Sequence, residues 1–173
     1  MNGEIDVMEA SNQGTSGNSA ALHTNSGCDM DVKRIMTGTA TQSDCNNATN
    51  NNAGCGVTGA KPASYGAAFN KDGGGIMAVE WRDAGIRIWQ FARGAVPADV
   101  TGAAPDPSSW DTAMADFPST NCNIGNHFKN QSIIVNIDLC GDMLASTYGD
   151  SGCKLSTPLS MLLQQGESRK HPV

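Results

Sequence analysis

The sequence predicts an all-β protein built as a sandwich of packed sheets, and the pattern of apolar residues is the main reason. Short apolar or alternating runs recur along the chain, and clusters of Gly, Asn, Pro and Ser separate them. No strong helical periodicity is present before Cys153. With 173 residues and 39% hydrophobic content, the chain is long enough for one domain with a buried core.

The first predicted strand contains a dense acidic cluster, in the run Gly3-Glu4-Ile5-Asp6-Val7-Met8-Glu9. Side chains two residues apart on a strand share a face, so Glu4 and Asp6 lie together while Glu9 has the wrong parity. A β-bulge at Val7-Met8 would return Glu9 to that face, with the apolar side chains pointing into a core. Two carboxyl groups held about 5 Å apart suit retaining glycoside hydrolysis. Spacing alone leaves two alternatives open, an acidic solvated face and part of a Ca²⁺ site.

Four further strands are predicted from the apolar pattern. Residues 75–81 and 86–91 lie on either side of a turn at residues 82–85 and are predicted to form a hairpin. Residues 131–139 are β-branched and largely apolar, which favours another strand. Residues 32–36 are interpreted as a short strand.

The segments between these strands are predicted to be irregular. Residues 46–59 are rich in Asn and Gly and hold too little apolar surface to order themselves, so bridges from the flanking cysteines would have to supply the order. Residues 94–121 contain four prolines and are interpreted as a surface loop, which in sandwich enzymes can wall a substrate cleft. Residues 154–173 differ in composition and are predicted to be a disordered tail or a short helix.

The charge balance favours an uncharged partner over nucleic acid. Eleven Lys and Arg against seventeen Asp and Glu give a net charge of −6, and no basic patch or stripe is visible. No stretch approaches the roughly 20 apolar residues that a membrane-spanning helix needs. A neutral polysaccharide is compatible with this composition, whereas a membrane or a nucleic acid is not expected as a partner.

The cysteines are interpreted as disulfide partners. The six of them form no C-x-x-C pair, and the three histidines supply no close ligand pairs for zinc. Disulfides would place the protein in an oxidising compartment, although the sequence selects no pairing. Sequons at Asn47 and Asn130 fit either glycosylation or a chance match. No signal peptide precedes the acidic run, which conflicts with an exported protein.

The acidic run resembles the E-[ILV]-D-x-x-E signature of glycoside hydrolase family 16 in its bulged form. Further landmarks resemble laminarinase-like fungal endo-β-1,3(4)-glucanases in the same order, among them Leu22-His23-Thr24, Gly27-Cys28, Glu80-Trp81, Pro105-Asp106-Pro107-Ser108-Ser109-Trp110 and Leu139-Cys140-Gly141-Asp142. The resemblance implies a concanavalin A-like jelly-roll sandwich that is secreted and uses no cofactor or metal. Relatives carry more strands before and after this region. We therefore expect an incomplete, N-terminally truncated catalytic domain over residues 1–153 and a divergent tail over residues 154–173.

The resemblance also implies roles for particular side chains. By motif position, Glu4 resembles the catalytic nucleophile, Glu9 the general acid/base and Asp6 the assisting carboxylate. His23 lies in a segment that resembles a substrate-contacting strand, and Trp81 is a candidate for stacking on a sugar ring. A structural hydrogen bond for His23 and core packing for Trp81 are the ordinary alternatives.

The function implied is that of a monomeric retaining endo-glycosidase acting on a β-glucan polysaccharide. It would hydrolyse β-1,3 or mixed β-1,3/1,4 linkages through a glycosyl-enzyme intermediate. Two alternatives are kept. One is a catalytically incompetent fragment that binds glucan weakly at most, and the other is a transglycosylase in which a sugar intercepts the same intermediate.

Overall fold

Two antiparallel sheets contribute side chains to one shared core in the computed structural model. The structure describes residues 2–12, 14, 17–59 and 64–137. Among these residues, strands dominate and the helices are short. The predicted all-β sandwich is therefore confirmed.

The first sheet has the order β1-β2-β4-β3, and each neighbouring pair is antiparallel. Its strands are β1 (Glu4–Glu9), β2 (Ser19–His23), β3 (Thr39–Ala40) and β4 (Val57–Thr58). β1, which carries the acidic run, lies at the edge of this sheet.

The second sheet has the order β5-β6-β7. Its strands are β5 (Gly75–Arg82), β6 (Gly85–Ala92) and β7 (Ala115–Pro118). The first two form the predicted hairpin, in continuous register from Gly75 opposite Ala92 to Arg82 opposite Gly85. The third was missed, because it lies inside the proline-containing segment that was interpreted as a surface loop.

The helical elements are brief and connect the sheets. They are α1 (Gly66–Lys71), α2 (Ile124–His127) and 3₁₀ turns at Asn50–Asn52, Arg93–Ala95, Pro107–Ser109 and Ser119–Asn121. At the start of α2, the side chain of Asn123 accepts a hydrogen bond from the Asn126 amide, which satisfies one of the free amides of the first turn.

The main core lies between the sheets. Its largest fully buried side chains come from β2, β6, β7 and α2, namely Leu22, Ile86, Ile88, Phe117 and Ile124. Ile5 and Val7 of β1 are partly buried against the same cluster, as the sequence predicted. Burial of a side chain of this size stabilises the fold by about 1.5–3 kcal/mol.

Two disulfides cross-link the described part of the chain. Cys28 is bonded to Cys122, which joins the region after β2 to the start of α2. Cys45 is bonded to Cys55, a pairing that the sequence did not select, and this bond closes the Asn- and Gly-rich segment. The two remaining cysteines lie outside the described residues, as does the segment 154–173.

The long segment after β6 covers the face of the second sheet that points away from the main core. Trp110 makes edge-to-face contacts with Trp89 at 5.1 Å and with Phe91 at 5.6 Å between ring centroids. Its indole N–H donates to the carboxylate of Asp99. Instead of walling the acidic face, this segment is packed against the opposite side of the sandwich.

Two predicted strands are wrong within the described residues. Residues 131–137 form no β-ladder, and Ile133, Val135 and Ile137 are at least 90% exposed. Strand propensity alone does not order a segment that pairs with no strand of the described part of the chain, and residues 138–139 of this prediction lie outside that part. Residues 32–36 are also irregular, and their hydrogen bonds go to Asp116: the Ile35 amide donates to its carboxylate and Nε of Arg34 donates to its backbone carbonyl.

Within the described residues, the structure has no helix with the length and apolar character required to cross a membrane.

Candidate active site

The acidic strand β1 is bulged where the sequence predicted. Asp6 lies opposite Ala21 and Glu9 lies opposite Ser19, so Val7 and Met8 together face the single residue between them on β2. This extra residue restores Glu9 to the parity of Asp6. The bulge therefore places all three carboxylates on the side of β1 that faces away from the core.

Two contacts from the start of β2 fix the position of Glu9. The Asn18 side chain accepts a hydrogen bond from the Glu9 amide at 3.0 Å, and the Ser19 hydroxyl donates to the Glu9 carbonyl at 3.1 Å. Asn18 is fully buried, and its backbone N–H donates to the Ser64 hydroxyl. The backbone after the bulge is thus tied to the interior.

Electrostatic coupling shows that the three carboxyl groups share one site. Burial raises the pKa of the Glu9 carboxyl, and the charge of Asp6 raises it further. His23 opposes this effect on the Glu9 pKa, while Glu4 adds to it. Glu9 therefore retains its proton to a higher pH than an ordinary glutamate does.

His23 is held against Asp6 by a direct contact. Its Nε2 atom lies 3.0 Å from Oδ2 of Asp6, and its Nδ1 atom lies 3.0 Å from Oδ1 of Asn52. The hydrogen bond with Asp6 is the largest cause of the raised pKa of His23. Asn52 and the charges of Asp6 and Glu4 act in the same direction, whereas burial lowers the pKa.

The predicted site residues do not all come together. Glu4, Asp6, Glu9 and His23 form one cluster on β1 and β2. Trp81 lies on β5 opposite Ile86, and such cross-strand partners share a face, so Trp81 lies on the core-facing side of the second sheet. It is 44% exposed there, and the structure does not bring it to the carboxylates.

Sequence reasoning missed Asn52 and Asn18 as parts of this site. The one signal for Asn52 was the run of asparagines from residue 50 to 52, because asparagine tolerates the left-handed conformation that tight turns require. All three asparagines have positive φ angles, at 48°, 54° and 60°.

No group of three or more metal-ligating side chains has a geometry that could hold an ion in the described parts of the chain.

Comparisons with known proteins agree with the motif. The family described as "XgeA-like, catalytic GH16 domain" matches residues 1–168. A probable glycosidase of Schizosaccharomyces pombe is 48% identical over 155 residues, which cover 87% of this chain and 37% of that protein. The endo-1,3(4)-beta-glucanase xgeA of Emericella nidulans is 39% identical over 161 residues, covering 93% of this chain and 25% of that one.

Solved structures give the same picture of the fold. Laminarinase 16A of Phanerochaete chrysosporium, with 6-O-glucosyl-laminaritriose in its donor and acceptor sites, matches with a TM-score of 0.85 and 39% identity. That match covers 94% of this chain and 56% of the laminarinase. An elongating family 16 β-1,3-glucosyltransferase matches with a TM-score of 0.83 at 37% identity, over 95% of this chain and 55% of the transferase. The chain thus spans less than two thirds of each of these proteins.

Proposed function

Because the chain belongs to glycoside hydrolase family 16, as an XgeA-like catalytic domain with the jelly-roll sandwich of that family, we propose that it hydrolyses β-1,3 or mixed β-1,3/1,4 glucans as a retaining endo-glycosidase. The observation that carries the proposal is the bulge in β1. It returns Glu9 to the face that holds Glu4 and Asp6. The net charge of −6 also suits a neutral polysaccharide better than a polyanion.

In the proposed mechanism, the carboxyl of Glu9 donates its proton to the glycosidic oxygen while the carboxylate of Glu4 attacks the anomeric carbon. The C–O bond to the leaving sugar breaks, and a glycosyl ester forms on Glu4. Glu9, now ionised, removes a proton from water, which attacks the anomeric carbon and releases Glu4. The half-buried position of Glu9 and its raised pKa support its role as the acid.

Asp6 is proposed to assist by its charge and by its contact with His23. The Asp6 carboxylate lies beside Glu9 in the cluster and penalises a second ionisation there. His23 is buried and bonded on both sides of its ring, so we propose that it acts through Asp6. Sugar stacking by Trp81 stays a prediction, and the position of Trp81 on the core-facing side of β5 gives that prediction no support.

Release of reducing ends from laminarin and from a mixed-linkage β-glucan tests the activity. We expect Glu9→Gln to lose about 10²–10⁴-fold in kcat/KM, because the acid is removed, and Glu4→Gln to lose at least as much. Asp83→Asn is the matched control, since Asp83 is an exposed carboxylate in the β5–β6 turn, and it should keep full activity. A folded chain without activity on either glucan would contradict the proposal in favour of a non-catalytic glucan-binding fragment.

Proton NMR of the first product tests the stereochemistry of the reaction. A retaining enzyme releases the β-anomer of the new reducing end before mutarotation. Early appearance of the α-anomer would instead indicate direct attack by water, and Glu4 would then lose its role as nucleophile.

A transferase is the second candidate function, and the similarity to the elongating β-1,3-glucosyltransferase favours it. The same glycosyl ester on Glu4 would then be attacked by the hydroxyl of an acceptor sugar. Mass spectrometry of the products from a laminari-oligosaccharide separates the two activities. Hydrolysis gives only shorter chains, whereas transfer also gives chains longer than the substrate.

Secretion is proposed from the two disulfides of the described residues, since such bonds persist in oxidising compartments. Fungal relatives named as glucanases are consistent with this location. Immunodetection in cell extract and culture medium of the source organism tests it. Recovery of the protein only from the cytosol, with its thiols reduced, would contradict the proposal.

A further inference from the structure

The imidazole of His23 lies between two hydrogen-bond acceptors. One is Oδ2 of Asp6, 3.0 Å from Nε2, and the other is Oδ1 of Asn52, 3.0 Å from Nδ1. His23 is 7% exposed, so water does not compete freely for either nitrogen. Because the Asn52 oxygen can only accept, the proton on Nδ1 is committed to Asn52.

This arrangement requires a second proton on the other side of the ring. With Nδ1 already protonated, a neutral ring would present the lone pair of Nε2 to the carboxylate of Asp6, which is repulsive at 3.0 Å. A proton between Nε2 and Asp6 removes the repulsion and makes the ring an imidazolium beside a carboxylate. Asn52 therefore selects the form of His23 that pairs with Asp6.

The segment that presents Asn52 is rigidly attached to the site. The Asn52 amide donates to the Thr49 carbonyl at 2.9 Å, and the Thr49 hydroxyl donates to the Asp44 carboxylate at 2.9 Å. Gly54 lies so close to the ring that a β-carbon there would be 2.8 Å from Cε1 of His23. The Cys45–Cys55 disulfide closes the whole segment.

We propose that Asn52 is a positioning residue of the active site, which holds His23 in the doubly protonated form that pairs with Asp6 beside Glu9. The assignment to catalysis rests on the proposed function, whereas the effect on His23 does not. The charged groups that face His23 are Asp6 and Glu4 on β1, and the charge of His23 also acts on Glu9. The neutral side chain of Asn52 faces His23 from the disulfide-closed segment.

The expected signs follow from the same contacts. Without Asn52, His23 loses an acceptor for its Nδ1 proton, so the pKa of His23 falls and the ring becomes neutral at lower pH. His23, whose positive charge lowers the pKa of Glu9, is then neutral over a wider pH range. The apparent pKa of Glu9 therefore rises. If Asn52 contributed only to the order of its turn, a matched change elsewhere in the same turn would shift both titrations equally.

Titration of the ¹⁵N-labelled imidazole of His23 and the ¹³C-labelled carboxyl of Glu9 by NMR tests this in the full chain. Asn52→Gly removes the acceptor at a position with φ of 60°, which glycine adopts without strain. Asn51→Gly is the matched control, because Asn51 belongs to the same turn, has φ of 54° and is exposed. Asn52→Asp keeps an acceptor at the same position.

We expect Asn52→Gly to lower the pKa of His23 and raise that of Glu9, Asn51→Gly to leave both unchanged, and Asn52→Asp to keep His23 protonated to at least the wild-type pH. Equal titrations in wild type and Asn52→Gly, or equal shifts in both glycine variants, would overturn the proposal. These measurements need no glucan hydrolysis. A titration result that contradicts the role of Asn52 is therefore distinguishable from an absence of the proposed activity.

Discussion

Glu9 combines two properties that a single residue of an exposed strand would not have. The bulge at Val7 and Met8 turns its carboxyl toward Asp6, and partial burial withholds the water that would favour its ionised form. The spacing of the acids predicted a shared face for Glu4 and Asp6 and suggested the bulge, and the family resemblance then favoured the bulged form. The contact of Asn52 with His23 was not, because it joins residues 29 positions apart through a left-handed turn that has no periodic signal.

Replacement of Glu9 by Gln is expected to stabilise the fold at neutral pH. The folded-state pKa of Glu9 lies above its ordinary value of 4.5. The contribution of Glu9 to the free energy of unfolding is therefore fully present below about pH 4.5 and is lost as pH rises through the folded pKa. Gln stays neutral and avoids this loss. Urea denaturation should show equal stability near pH 4 and a more stable variant near pH 7.

The control is Asp83→Asn, because Asp83 is exposed in the β5–β6 turn and is not among the groups that shift the pKa of Glu9. A Glu9→Gln variant that is no more stable than wild type at pH 7 would contradict the claim that ionisation of the Glu9 carboxyl destabilises the fold. If Glu9 is also the proposed acid, the stabilised variant is the inactive one. Stability and activity would then oppose each other at this residue.

At the scale of elements, the sequence predicted those strands whose partners are adjacent in the chain. The β5–β6 hairpin was predicted because its two halves alternate around a short turn. β7 was missed because its pairing with β6 spans a long irregular segment, and proline residues dominate the local signal. Residues 131–137 were wrongly predicted as a strand, since β-branched composition reports propensity and not the presence of a partner.

The two disulfides are expected to contribute unequally to stability. Cys28–Cys122 has a sequence separation of 94, whereas Cys45–Cys55 has a separation of 10. Chain-entropy arguments give about 4.7 kcal/mol for a loop of roughly 100 residues and about 3 kcal/mol or less for one of roughly 15 or fewer. Paired Cys→Ser variants, compared by urea denaturation, should show the larger loss for Cys28–Cys122.

The smaller bridge should nevertheless have the larger effect on the site. Removal of Cys45–Cys55 loosens the segment that presents Asn52, so the pKa of His23 should fall in that variant even where the fold is intact. An unchanged His23 titration in a folded Cys45→Ser/Cys55→Ser variant would show that hydrogen bonds alone hold Asn52 in place.

At the scale of the whole molecule, net charge and exposed apolar surface act against each other. The charge of −6 keeps copies of the chain apart, particularly at low salt. Four β-branched side chains of residues 131–137 are exposed, and Val79 and Trp81 are exposed on β5 at the edge of the second sheet. Contiguous apolar surface and unpaired strand edges both favour association. The monomer predicted from the sequence is therefore expected to depend on ionic strength.

Added charge in the exposed segment tests this balance. Ile133 and Val135 are 98% and 94% exposed, so replacing both by Lys costs no core packing and removes apolar surface from water. Ser132→Lys/Asn136→Lys is the matched control, because both residues are exposed in the same segment and the change in net charge is identical. Sedimentation velocity at high salt should show association of the wild type and of the control variant. The variant with Lys at positions 133 and 135 should not associate. Equal behaviour of the two double variants would mean that charge, and not the apolar side chains, governs association of the chain.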